Sequence, residues 1–317
     1  MMKRLVVMTG MILMFGALLW AGGHRDQGAN SSSNGKPKVV ATIFPPFDFV
    51  REIAGDRVEL TMLLPPGSES HSYEPTPRDI ITIQNCSIFI YGGGESDAWV
   101  DRILDAMDTG RMKIIRLMEC VAVVEEVSVE GMEVEEEEEE TPEYDEHVWT
   151  APQNAKLIVQ EISRTLCEVD EKNAGEYQQR SAAYCAQLDA LDAAFQELVD
   201  KAVRKTIVFG DRFPFRYFAD AYGLSYFAAF PGCSTETEPS AATVAFLINK
   251  IRAENIPVIF HIELSNERMA DTISEATGAK KLLFHAGHNV TKRDFEGGLS
   301  YLQLMTTNVE HLKEALQ

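Results

Sequence analysis

Four histidines fall in three short stretches of this chain, and the types of their neighbours suit metal chemistry. His71 lies in the segment Gly67-Ser68-Glu69-Ser70-His71-Ser72-Tyr73-Glu74-Pro75-Thr76-Pro77. His147 lies in Asp145-Glu146-His147-Val148-Trp149-Thr150-Ala151-Pro152, and His285 and His288 lie in Phe284-His285-Ala286-Gly287-His288-Asn289. The chain has only 7 histidines, so this placement is informative. Neutral imidazole is the commonest protein ligand for zinc and its neighbours, and stretches this far apart could serve one ion only by converging in the fold. Each also has a plainer reading. His71 alone is a surface loop residue, and His147 beside an acidic run is an ion-pairing residue. Two imidazoles flanking Gly287 can turn toward one ion or belong to a hydrogen-bonded loop. Of the rest, His261 sits in an apolar run and reads as core, His24 belongs to the N-terminal segment, and His311 to an exposed last helix. Glu263 either supports a ligand or caps the helix that follows it.

The elements that must position these residues alternate in type. Strands are predicted at 39–43, 58–63, 87–91 and 113–116, with helices from Pro46 to Ala54, from Pro77 and after Asp97. Proline opens helices at their first turn, and Gly55-Asp56 closes one. A helix over 153–167 precedes a long one over about 172–204, whose apolar residues Tyr177, Tyr184, Leu188, Leu191, Phe195, Leu198 and Val199 recur at helical spacing. Alternation then resumes, with strands at 206–209, 224–229, 258–261 and 281–284 and helices from Pro214, Pro239, Asn266 and Leu299. This rhythm predicts an α/β protein: two lobes of the (βα) type with parallel sheets, at 38–170 and 205–317, joined by one long linking helix at 171–204. Ligands of open parallel sheets bind beyond the carboxyl ends of the strands. His71, Asp211 and His285 each follow a predicted strand, so Asp211 joins the candidate ligands His71, His147, His285 and His288.

Composition bounds the function. The net charge of −20 argues against nucleic acid or an anionic membrane as a partner. Much of that charge is local, because residues 125–146 hold thirteen carboxylates and no Lys or Arg. Carboxylates this dense repel one another and can bury nothing, so a solvated loop running into His147 is expected, able to gather cations beside it. Lys3 and Arg4, the apolar run from Leu5 to Trp20 and the small residues Ala21-Gly22-Gly23 read as an export signal over 1–23, cleaved or else kept as a signal anchor, followed by a flexible tether over 24–37. Export to the periplasm or the outer face of the cytoplasmic membrane follows. No Cys follows the small residues, so a lipid anchor is not expected. The 5 cysteines show no metal-site spacing and carry no function here. Neither HExxH nor Gly-x-Ser-x-Gly is present, which leaves a zinc hydrolase without a catalytic motif.

Several stretches together resemble the zinc/manganese-type solute receptors of ABC importers. They are Thr42-Ile43-Phe44-Pro45, the 67–77 segment, residues 147–152, Arg216-Tyr217-Phe218 through Tyr222-Gly223-Leu224, Ser234-Thr235-Glu236-Thr237-Glu238-Pro239-Ser240, and Ser300-Tyr301. They run in family order over nearly the whole chain from residue 38. The resemblance implies a two-lobed monomer that holds one divalent metal between its lobes and delivers it to a membrane ABC permease. It also implies no enzymatic role, with an adhesin role as a lesser alternative. It carries His71 and His147 over as ligands. The other two corners depart from the pattern. The position usually held by His or Glu is Arg212, with Asp211 one step away, and the usual Asp of the last loop is replaced by His285 and His288. Asp211 either takes the ligand role or pairs with Arg212 and leaves a three-ligand site. Imidazole-rich coordination tilts the metal to zinc, with manganese or iron as the alternative. Ligation needs neutral imidazole, so binding is expected to weaken as pH falls through about 6.

Overall fold

The computed structural model describes residues 35–132, 143–234 and 239–317. The predicted signal segment, most of the tether, and the densest part of the acidic stretch lie outside those residues, as does His24. The remaining chain, 36–317, forms one compact unit. Among the described residues no helix is long and apolar enough to cross a membrane.

The first half is a parallel βα array. It runs β1 (Lys38–Ala41), α1 (Phe44–Ala54), β2 (Glu59–Met62), α2 (Pro77–Gln84), β3 (Ile88–Tyr91), α3 (Ala98–Asp105) and β4 (Lys113–Arg116). The strand order is β2-β1-β3-β4, all parallel. β3 is buried throughout and β1 in all but its first residue, as covering both faces of a parallel sheet demands, whereas the edge strands β2 and β4 show exposed positions. Local chemistry sets the helix ends. Pro45 and Pro46 occupy the first turn of α1, and Thr76 and Asp79 form a reciprocal capping box on α2.

α4 (Pro152–Val169) leads into α5 (Ala174–Asp200), whose 27 residues span about 40 Å at 1.5 Å per residue. This is the linking helix expected from the apolar spacing. Its buried residues include Tyr177, Tyr184, Leu188, Leu191, Phe195 and Val199. It packs on α1 and α4 from the first half and on the C-terminal helix from the second.

The second half runs β5 (Thr206–Val208), β6 (Arg212–Phe213), α6 (Arg216–Tyr222), β7 (Ser225–Phe227), β8 (Phe230–Pro231), α7 (Ala241–Glu254), β9 (Val258–His261), α8 (Arg268–Thr277), β10 (Lys280–Leu283), α9 (Lys292–Glu296) and α10 (Tyr301–Leu316). β5 pairs with β7 and β10 with β9, all parallel, and a parallel bridge between Phe209 and Phe260 joins the two pairs. The two-residue strands β6 and β8 and the single-turn α9 are too short to leave a period in the sequence. One apolar cluster runs through both halves, from Val39, Ile90 and Trp149 to Phe209, Phe284 and Tyr301. The halves therefore share a close-packed core, which resists large relative motion. His311, expected on an exposed face, is instead partly buried, with its Nδ1 2.6 Å from the Leu283 carbonyl. All five cysteines are free, and Cys86 is buried as expected of a small apolar side chain.

Candidate metal centre

Three of the five expected ligands meet. One ring nitrogen each from His71, His147 and His288 lies within 4.8 Å of the other two. The ring centroids are 4.7 Å apart for His147 and His288, 5.4 Å for His71 and His288, and 5.8 Å for His71 and His147. An ion held at about 2.0–2.1 Å from each nitrogen separates the nitrogens by about 3.4 Å, which fits that limit. Six buried side-chain polar atoms lack a hydrogen-bond partner among the described residues, and two of these are His147 Nε2 and His288 Nε2. Orphaned buried nitrogens are costly unless something else satisfies them, and a cation beside three imidazoles would do so.

Each ring is aimed by a different support. His147 follows the expected acidic stretch and is fully buried. Asp145 Oδ1 accepts both the His147 backbone N–H at 2.7 Å and its Nδ1–H at 2.9 Å, so Nε2 keeps its lone pair. Asp145 is itself anchored through its carbonyl, which accepts the Tyr217 hydroxyl at 2.7 Å. His71 comes from the long loop between β2 and α2. Its Nδ1 is 2.7 Å from Ser96 Oγ, which is in turn 2.5 Å from Glu146 Oε1, while the Ser96 N–H donates to Glu146 Oε2 at 3.1 Å. A hydroxyl has one proton. When Glu146 is ionised, Ser96 donates to it and accepts from His71 Nδ1–H, which leaves His71 Nε2 bare for an ion. Gly94 permits this approach, because a Cβ there would collide with the Glu146 side chain.

His288 sits in the loop after β10. Glu263 Oε1 accepts its backbone N–H at 3.0 Å and Oε2 accepts that of Ala286 at 2.8 Å, with Gly287 between them at φ +76°. Glu263 thus holds the His288 loop and does not cap α8, which begins at Arg268. The same loop is tied across to the first half. Trp149 Nε1 donates to the Ala286 carbonyl at 2.8 Å, and Asn289 Nδ2 donates to the Pro65 and Ser68 carbonyls at 2.8 and 2.9 Å.

Two expected ligands stand elsewhere. His285 is outside the cluster. Its backbone is pinned on both sides by Asn308, and the charges acting on it most are Glu263, His311, Asp294 and His261. Of the two, only His288 joins the imidazole cluster, with Gly287 at φ +76° between them. Asp211 is also outside the cluster, because its carboxylate already accepts the Arg212 and Ile262 backbone N–H groups at 2.9 and 3.2 Å and the Ser265 hydroxyl. Arg212 pairs not with Asp211's side chain but with Glu69, at 3.1 Å. A second group of donors, Glu126, Glu143 and Cys233, closes the neck of the acidic stretch, where Glu126 Oε1 accepts the Cys233 backbone N–H at 2.9 Å. His261 is buried in β9 as core, with Nδ1 3.2 Å from the Ile262 carbonyl.

The electrostatics hold His71 and His147 neutral. Burial, then the nearby His288, His147 and Arg212, hold His71 down to about 2, and burial with His288 and Arg212 keeps His147 well below the usual histidine range. Burial pushes Asp145 up to about 7 and Glu146 up to about 8. Asp145 and Glu146 enter the sequence only as acidic neighbours that His147 could pair with, and Ser96 does not stand out there at all. The adjacency of the first two was a usable signal; Ser96, 25 residues from His71 and 50 from Glu146, had none.

The chain is 30% identical over 304 residues to the high-affinity zinc uptake system protein ZnuA of Bacillus subtilis, covering 93% of this chain and 92% of that protein. It is 31% identical over 288 residues to the zinc-binding lipoprotein AdcA of Streptococcus pneumoniae, covering 89% of this chain but only 56% of AdcA, so it spans about half of that relative. The crystal structure of the zinc-bound ZnuA-like domain of that AdcA superposes with a TM-score of 0.74 at 29% identity, covering 89% of this chain and 99% of the domain. The family model for ZnuA, the periplasmic zinc-uptake complex component A, matches residues 39–315, and the chain belongs to that family of solute-binding receptors.

Proposed function

We propose that this protein captures a divalent transition metal, zinc before manganese or iron, between its two halves and delivers it to a membrane ABC permease. The observation that carries this reading is the convergence of three imidazoles from distant segments, two of them with buried, unpartnered Nε2 atoms. Three neutral nitrogen donors match zinc, while manganese prefers carboxylate-rich sites. The zinc-named relatives support the same choice of metal. His71, His147 and His288 are the ligands in this reading; His285 and Asp211 are not. Three protein donors leave one tetrahedral position for an exogenous ligand. The receptor works as a monomer on the outer side of the cytoplasmic membrane. One relative is named a lipoprotein, so the lack of an anchoring Cys near the start carries no weight against a lipid anchor.

Calorimetry on His71→Ala/His147→Ala tests the site. Wild type should bind one zinc tightly, and the double variant should show no tight binding while keeping its fold. Retained affinity in the folded double variant refutes the site. A zinc-versus-manganese competition on wild type tests the choice of metal, and preference for manganese refutes it.

A further inference from the structure

One cation is tied to the loop that carries His71. The Arg212 side chain is 11% exposed; its Nη2 donates to Glu69 Oε1 at 3.1 Å and its Nη1 to the Ser234 carbonyl at 3.2 Å. Glu69 belongs to the His71 loop of the first half, and Arg212 to β6 of the second, so the pair spans the two halves beside the site. Glu69 is braced as well, with Oε2 accepting the Ser72 N–H at 3.0 Å. The Arg212 charge acts on both His71 and His147.

The three imidazoles are neutral donors and offset none of an ion's double charge. Glu69 is two residues from His71 and is the acidic group bound to Arg212. A carboxylate already bound to a guanidinium is less free to offset an incoming cation. At the effective dielectric of a partly buried site, unit charges a few ångströms apart change a binding constant by about tenfold or more. We propose that the Glu69–Arg212 pair sets how tightly the receptor grips its metal: Arg212 repels the ion and keeps the Glu69 carboxylate from it, which limits affinity and eases release. Arg212 is then an affinity-determining residue and not a failed ligand. This rests on the metal-capture reading above.

The test is zinc affinity, measured by competition with a chromophoric chelator at pH 7.5, for wild type, Arg212→Met, Glu69→Gln and the double variant. Arg212→Met should tighten binding at least tenfold. Glu69→Gln should weaken it at least tenfold, because the guanidinium then acts unopposed. The double variant should fall between the two. Circular dichroism checks that each variant folds; Glu69 is 35% exposed, so Glu69→Gln decides the matter if Arg212→Met does not fold. Arg212→Met binding no tighter than wild type, or Glu69→Gln binding as well as wild type, overturns the inference alone. Absence of zinc binding by wild type overturns the capture reading and this inference with it.

Discussion

Asp145→Ala separates the orientation of a ligand from its identity. One oxygen, Asp145 Oδ1, accepts two donors of His147, the backbone N–H and Nδ1–H, at 2.7 and 2.9 Å. Removing it frees the imidazole to rotate or to move its proton to Nε2, where the ion should bind. Supporting groups of this kind are worth about 10–100-fold in metal affinity, or about 1.4–2.7 kcal/mol. The fold should survive. Two buried donors lose their acceptor, but the variant also sheds a carboxylate whose burial lifts its pKa to about 7. The Tyr217 hydroxyl keeps its bond, which goes to the main-chain carbonyl of residue 145. The assay is zinc affinity by chelator competition at pH 7.5, with thermal unfolding of the metal-free protein as control. Asp145→Asn keeps an oxygen able to accept from both donors, so it should lose less than tenfold. An Asp145→Ala affinity within twofold of wild type would refute the orienting role. An Asn variant as weak as Ala would show that charge, not aim, is the contribution.

Other expectations follow from the same contacts. Zinc affinity should rise with pH from 6 toward 8 and then level, by about tenfold per unit on account of Glu146 alone, because Glu146, pushed up to about 8, must lose its proton for Ser96 to leave His71 Nε2 bare; Asp145, pushed up to about 7, adds to the slope below that pH. His71 and His147 stay neutral across that range, so their own protonation does not supply this rise; an affinity flat from pH 6 to 8 excludes the relay. In the metal-free protein the sign of Glu146's effect on stability is opposite. Its pKa rises on folding from 4.5 to about 8, so it contributes stability that is lost as pH climbs through that window, and unfolding followed against pH with Glu146→Gln as reference should show the difference. Trp149→Phe leaves the Ala286 carbonyl without its donor and opens a small gap in the core, so urea unfolding should show a loss of about 2–3 kcal/mol; a loss under about 0.5 kcal/mol would sink the tether. Deleting residues 133–143 should slow zinc association at low salt in stopped-flow mixing with little change in affinity, and an unchanged rate would leave the acidic stretch a spacer.

What the sequence determined by itself is what depends on near neighbours. The βα alternation, the proline-opened helices and the long linking helix were legible because apolar period and capping residues act within a few positions. His71 and His147 stood out because each lies within a distinctive segment. The tertiary structure alone separated His285 from His288, since only His288 joins His71 and His147, with the Gly287 turn between the two. It alone turned Asp211 away, through donors at Ile262 and Ser265 that lie 51 and 54 residues along the chain. It alone set Arg212 against Glu69, 143 positions apart, and Ser96 between His71 and Glu146. Hydrogen bonds and ion pairs over such separations exist only after both halves have packed on a common core, so no local pattern can encode them.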